Sequence, residues 1–235
     1  METRPLHRTL PSNVRLANMV LRLWMCNWLL IVASTQAALA REPLRIVVFG
    51  DSLVAGYQLA ASDAFPAQLE RALRAKGLAV EVTNAGVSGD TTAAGLERLS
   101  WSLPPATDAV ILELGANDAL RGLDPGKAKA NLERMIVAIK AKGAVVLLAG
   151  MLAPRNLGPD YTRSFDAIYP GLAQKHGLIL YPFFLDGVAM NPALNLGDGL
   201  HPNREGVAEI TKRILPSVEQ LIARVRAQHT AVPKG

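Results

Sequence analysis

The feature that most constrains this chain is an alternation. Continuous apolar runs, rich in β-branched residues, are separated by longer stretches with helical periodicity. The runs cover residues 44–49, 80–83, 109–114, 144–149 and 178–181. Most are continuously apolar instead of apolar at every second position, as parallel strands covered on both faces are. Between and after them lie helical patterns at 64–76, 92–101, 125–142, 162–176 and 203–226. Asp124-Pro125 offers a capping oxygen followed by proline in the first turn, while Gly77 and Gly143 fall where helices end. Pro216 is expected to kink or restart the last helix, and residues 227–235 read as a frayed tail. Strand–helix alternation at this spacing predicts a single three-layer αβα domain around a central parallel sheet of about five strands.

In such a sheet, sites form beyond the carboxyl ends of the strands. Ser52 follows the first apolar run directly, in Phe49-Gly50-Asp51-Ser52. A serine hydroxyl is a poor nucleophile until a base takes its proton. Histidine suits that task, and a carboxylate beside it fixes its tautomer and stabilises the imidazolium. Asp198-Gly199-Leu200-His201 supplies both within one short loop. His176 and His229 are weaker rivals, one at a helix carboxyl end and the other in the tail. An acyl-transfer centre also needs donors aimed at the developing oxyanion. Two stretches that follow apolar runs could provide them: Asn84-Ala85-Gly86-Val87-Ser88-Gly89-Asp90 and Gly115-Ala116-Asn117-Asp118. Asp51 and Asp118 are read as braces of their loops. No His or Glu completes a metal-ligand set with Asp51 and Asp90, so neither metal nor cofactor is expected.

These blocks resemble those of the SGNH hydrolases, the GDSL esterase/lipase group. Gly50-Asp51-Ser52-Leu53 is similar to the nucleophile block, and Asn84-Ala85-Gly86 to the glycine block. Gly115-Ala116-Asn117-Asp118 is similar to the asparagine block, and Asp198-Gly199-Leu200-His201-Pro202-Asn203 to the Asp/His block. All four occur in family order, from about Leu44 to Ile222. Phe165-Asp166-Ala167-Ile168-Tyr169-Pro170 and Tyr181-Pro182-Phe183-Phe184 resemble the subgroup of secreted arylesterases and acyl-CoA thioesterase/lysophospholipases. The resemblance implies a flavodoxin-like fold and a serine hydrolase with Ser52, His201 and Asp198 as its triad. It implies an oxyanion hole from Ser52, Gly86 and Asn117, with Leu53 beside the substrate. The expected substrate is a small acyl ester or thioester. A carbohydrate O-deacetylase of the same family is the alternative, which the aromatic content of 5% disfavours, and a non-catalytic flavodoxin-like binding domain is a third reading. In the loop after the fourth run, Met151, Leu152 and Leu157 read as an apolar wall for the acyl group.

The net charge of +5 does not imply a nucleic-acid partner. Four of the 25 basic residues and one of the 20 acidic ones lie in the first 40, leaving 21 against 19. No basic stripe with interleaved aromatics remains. Residues 1–40 read as a secretory signal: arginines, an apolar stretch from Leu23 to Ala33, and Ala38-Leu39-Ala40 ahead of Arg41, with Met19 a second possible start. The apolar stretch is shorter than the ~20 residues of a spanning helix. The mature enzyme, residues 41–235, is therefore expected in the periplasm or outside the cell, without stable membrane insertion. Cys26 is the only cysteine, so the mature chain has none for a disulfide or a thiolate site.

Overall fold

The computed structural model describes residues 42–231. The signal reading of residues 1–40 lies outside them. Five strands form one parallel sheet in the order β2-β1-β3-β4-β5. They are β1 (Leu44–Gly50), β2 (Val80–Gly86), β3 (Ala109–Glu113), β4 (Val145–Ala149) and β5 (Ile179–Tyr181). The described helices are α1 (Ser52–Ala55), α2 (Phe65–Ala75), α3 (Thr92–Ser102), α4 (Ala116–Leu120), α5 (Pro125–Ala141), α6 (Pro159–Asp166), α7 (Ile168–His176) and α8 (Arg204–Ala231). Helix α2 packs on α8, whereas α3 packs on α5 and α5 on α7. The helices thus form the two outer layers of an αβα sandwich.

The continuous apolar runs lie where they are expected to. Every residue of β3 and β4 is buried, and in β1 only Arg45 is exposed. Helix stripes cover the two faces. Phe65, Leu69 and Leu73 recur every four residues along α2, and Leu132, Met135, Ile136 and Ile139 along α5. Burial of such side chains contributes about 1.5–3 kcal/mol each.

Four expectations are corrected. Pro216 does not restart the last helix, which runs from Arg204 to Ala231 with the proline inside it. Pro216 is on the exposed side of the helix, and the buried stripe Ile210, Ile214, Val218, Leu221 continues past it. Residues 227–231, read as tail, are its last turn. The single helix expected at 162–176 is two, meeting at Ala167. Pro170 explains the break, since it has no N–H to continue the ladder of α6. Met151, assigned to an apolar wall, is 4% exposed and belongs to the core.

Strand β1 is flanked by β2 on one side and β3 on the other. The chain therefore changes direction of winding at β1/β3, and a crevice opens beyond the carboxyl ends at that point. Ser52 stands after β1 and Asn117 after β3, on either side of it.

Candidate active site

Ser52 is the first residue of α1, a four-residue helix that starts as soon as β1 ends. Asp51 caps this turn, its Oδ1 accepting from the Leu53 N–H at 3.0 Å. Gly56, in the left-handed region at φ 81°, closes it. Gly50 has no room for a side chain, since a Cβ there would lie 2.6 Å from both the carbonyl oxygen and Oε2 of Glu113. The turn is therefore as tight as the packing beneath permits, and it brings the Ser52 hydroxyl to the rim.

The last loop reaches Ser52 from 149 residues away. It is held as a small hairpin, in which the Leu196 N–H donates to the His201 carbonyl at 2.7 Å and Asn195 bridges to Pro202. Buried Asn195 anchors its base by donating to the Val188 and Asn191 carbonyls, at 2.8 and 2.7 Å. At the other end, Asn203 Oδ1 accepts from the Gly206 N–H at 2.9 Å and caps α8. The turn places Asp198 Oδ2 2.7 Å from His201 Nδ1, and His201 Nε2 is 2.9 Å from Ser52 Oγ. Asp198 Oδ1 also accepts the Leu200 and His201 backbone N–H groups at 2.9 and 3.0 Å. Those two amides, with the imidazole, hold the Asp198 carboxyl down at about 2. A carboxylate that stays ionised thus orients an imidazole whose other nitrogen meets a hydroxyl. This arrangement can pass a proton from serine to histidine.

Donors for an oxyanion are distributed differently from the expectation. The Ser52 N–H lies at the first position of α1, where a helix leaves its amides without intrahelical acceptors. Asn117 comes to the same turn, but its Nδ2 donates to Asp51 Oδ2 at 3.1 Å and to the Asp90 carbonyl at 3.0 Å. Gly86 is the last residue of β2, paired in register with Gly50, and its N–H donates to Asn84 Oδ1 at 2.9 Å. Its lack of a side chain serves packing, because a Cβ would lie 2.3 Å from the Ala55 nitrogen. The amide assigned to Gly86 as an oxyanion donor is therefore already taken. Three residues on, Gly89 turns the loop at φ 87°, exposed, with its carbonyl held by Arg121 at 2.9 Å. Its N–H has no acceptor among the described residues, and the next carbonyl along, that of Asp90, is the one Asn117 contacts.

Of the two residues expected to line the substrate, Leu53 is a core side chain, 7% exposed. Leu157 is half-buried in a 3₁₀ turn, Arg155–Leu157, on the loop after β4. Asp118 is a brace, as expected. Its two oxygens accept from the N–H and hydroxyl of Thr92 at 2.8 and 2.6 Å, fixing the start of α3. His176 pairs with Glu133 at 2.7 Å and His229 with Asp108 at 3.3 Å, both away from Ser52 in the sequence and neither bonded to it.

Three features of this neighbourhood are absent from the motifs. Arg98 donates to Asp90 Oδ2 at 2.6 Å and to the Gly50 carbonyl at 2.9 Å, joining the glycine-rich loop to the nucleophile strand. Its guanidinium also lies 4.0 Å above the Phe49 ring. Glu113, fully buried behind the Ser52 turn, accepts only the Asp51 N–H, at 3.4 Å, and its Oε1 has no partner among the described residues. Burial, reinforced by the nearby Asp51 charge, pushes the Glu113 carboxyl well above its ordinary range. Asp51 itself is pushed up to about 6 by burial, against the pull of the Leu53 amide and Asn117. Finally, the Tyr57 ring lies 4.4 Å from that of His201. Among the described residues no group of three or more His, Cys, Asp or Glu is placed to hold a metal ion, and no helix is long and apolar enough to cross a membrane.

Residues 48–209 match the model of the GDSL-like lipase/acylhydrolase family. An arylesterase of Vibrio mimicus is 43% identical over 170 residues, 72% of this chain and 85% of its own length. The thioesterase 1/protease 1/lysophospholipase L1 of Escherichia coli K12 is 37% identical over 200 residues, 85% of this chain and 94% of its own length. Among solved structures, AlinE4, an SGNH-hydrolase family esterase, superposes with a TM-score of 0.65 at 46% identity, covering 77% of this chain and 97% of that one.

Proposed function

The chain belongs to the GDSL-like lipase/acylhydrolase family and is a carboxylic ester hydrolase, and from that premise we propose that it cleaves aryl esters and acyl thioesters through an acyl-enzyme on Ser52. One observation carries the reading: the hydrogen-bonded series Ser52 Oγ, His201, Asp198, at 2.9 and 2.7 Å. His201 Nε2 takes the Ser52 proton as Oγ attacks the acyl carbon. The carbonyl oxygen becomes an anion, and the Ser52 N–H, Asn117 Nδ2 and the Gly89 N–H stabilise it. For Asn117 this means giving up part of its bond to the Asp90 carbonyl as the anion forms. His201 then returns the proton to the departing oxygen or sulfur. Water enters, loses its proton to His201, and releases the carboxylic acid from Ser52.

Apolar side chains around the rim favour a lipophilic acyl or aryl group over a sugar. Tyr57, Val87 and Leu152 are large, exposed and on segments that follow strands, Leu120 ends the short helix α4 after β3, and Leu200 lies in the loop that carries His201. Leu157, on the loop after β4, belongs to the acyl side of this rim. The names of the Vibrio and Escherichia relatives agree with an aryl ester or thioester substrate. Residues 41–235 act as the exported enzyme once the signal is removed, in the periplasm or beyond it.

Purified mature protein should hydrolyse p-nitrophenyl acetate and acyl-CoA thioesters faster than acetylated xylan. A fluorophosphonate should label it at Ser52 with loss of activity. Labelling elsewhere, or hydrolysis of acetylated xylan alone, would overturn the proposal.

A further inference from the structure

His201 is held in its own plane by two hydrogen bonds, to Asp198 at Nδ1 and to Ser52 at Nε2. Both act at the ring edge, in the plane of the imidazole, so they oppose rotation of the ring about Cβ–Cγ only by bending. Only contacts on its faces stop that motion. Tyr57 makes such a contact, with ring centroids 4.4 Å apart and planes at 36°. The same residue is tied to the nucleophile, because the Tyr57 N–H donates to the Ser52 carbonyl at 3.2 Å, just after Gly56 does so at 3.1 Å. One short turn therefore carries the serine that His201 activates and the ring that packs on His201.

On the proposed hydrolase mechanism, we propose that Tyr57 is a positioning residue: its ring holds the plane of the His201 imidazole in line with Ser52 Oγ and favours the imidazolium formed during acyl transfer. The first effect is geometric. Rotation about Cβ–Cγ swings the Nε2 lone pair away from the hydroxyl, and small misplacements of a catalytic group are costly in rate. The second is electrostatic. An aromatic face carries negative charge density and attracts a cation placed over it. Asp198 and the nearby Asp51 supply the other negative charges that His201 faces. Both effects need an aromatic face and neither needs the phenolic hydroxyl. Tyr57 is 39% exposed, so replacing it leaves no large cavity in the core.

The test compares Tyr57→Phe with Tyr57→Leu in the full mature protein. On p-nitrophenyl acetate, Tyr57→Leu should lower kcat by about ten- to a hundredfold with KM changed by less than about twofold. Tyr57→Phe should restore kcat to within about twofold of the parent. Proton NMR gives a second readout that does not depend on turnover. The His201 Cε1–H resonance, assigned by its loss in His201→Ala, should lie upfield under the Tyr57 ring current. It should stay there in Tyr57→Phe and move downfield in Tyr57→Leu. Three results would overturn the proposal: an effect of Tyr57→Leu confined to KM, equal impairment in Phe and Leu, or a resonance that does not move. Failure of the hydrolase mechanism would look different, with Ser52→Ala and His201→Ala remaining active.

Discussion

Arg98 is the clearest case in which the structure converts a single side chain into a measurable loss. Its guanidinium pairs with Asp90 at 2.6 Å, and both side chains are only 12% exposed. It also donates to the Gly50 carbonyl and lies over Phe49. Arg98→Met keeps most of the apolar length and removes every donor. Breaking a buried pair from one side costs about 3–5 kcal/mol, because the remaining charge is left unpaired. Slight exposure lets water relieve Asp90, which points to the lower end, about 3 kcal/mol. A domain stability of roughly 5–15 kcal/mol absorbs that, so the variant should fold at 25 °C. Its catalysis should still fall, because the Asp90 carbonyl is an acceptor for Asn117 and Gly50 precedes the nucleophile turn. Urea unfolding followed by circular dichroism measures the stability change in Arg98→Met, Asp90→Asn and the double variant. With both charges removed, the double should be more stable than the sum of the singles predicts, by about 1–3 kcal/mol. Stability of Arg98→Met within about 0.5 kcal/mol of the parent, or strict additivity, would refute the reasoning.

Gly86→Ala should destabilise the fold more than Gly89→Ala in the same unfolding assay, since the first Cβ would lie 2.3 Å from the Ala55 nitrogen while the second meets nothing nearer than Arg121 at 3.9 Å. Equal losses would mean that β2 and α1 separate without penalty. Burial raises the Asp51 carboxyl from 3.8 to about 6, so the unfolded chain ionises first and stability should fall as pH rises through that window. Asp51→Asn, which cannot ionise, should therefore gain on the parent between about pH 4 and 6 and then level off, and a flat or falling difference would contradict this. Leu157→Ala should lower the ratio of long-chain to short-chain acyl ester turnover while leaving aryl acetate hydrolysis nearly unchanged. An equal loss at every chain length would remove the loop from the acyl site.

The parts of this molecule that were legible in its sequence are those set by local pattern. Near-continuous apolar runs locate β1, β3, β4 and β5, because a strand covered on both faces needs no polar alternation, whereas β2 at the sheet edge reads from its alternating Val80, Glu81, Val82, Thr83. Ser52, Asn117 and the Asp198/His201 loop each follow a strand or a turn and are placed by short-range signals. Helices α1 and α4 escape notice because four or five residues are too few to show a period. The continuity of α8 past Pro216 depends on that residue being exposed, a tertiary fact. The sequence pattern points to Gly86, the last residue of β2, as the oxyanion donor and passes over Gly89, three residues on in the loop that follows. Only the bond from the Gly86 amide to Asn84 separates them. Glu113 is hidden inside an apolar run, and its acid nature matters only because β3 places it behind Gly50. Arg98 and Tyr57 work through partners that the sequence does not bring near them, apart from Asp90 for the first.

The central claim is that Ser52 and His201 act as one unit, and a double-mutant comparison of turnover measures that directly. Ser52→Ala, His201→Ala and the double variant, each shown to be folded, should be assayed on p-nitrophenyl acetate. The account predicts that each single change lowers kcat by several orders of magnitude and that the double is little worse than either. Near-native turnover in a folded Ser52→Ala, or losses that are small and multiply in the double, would contradict it.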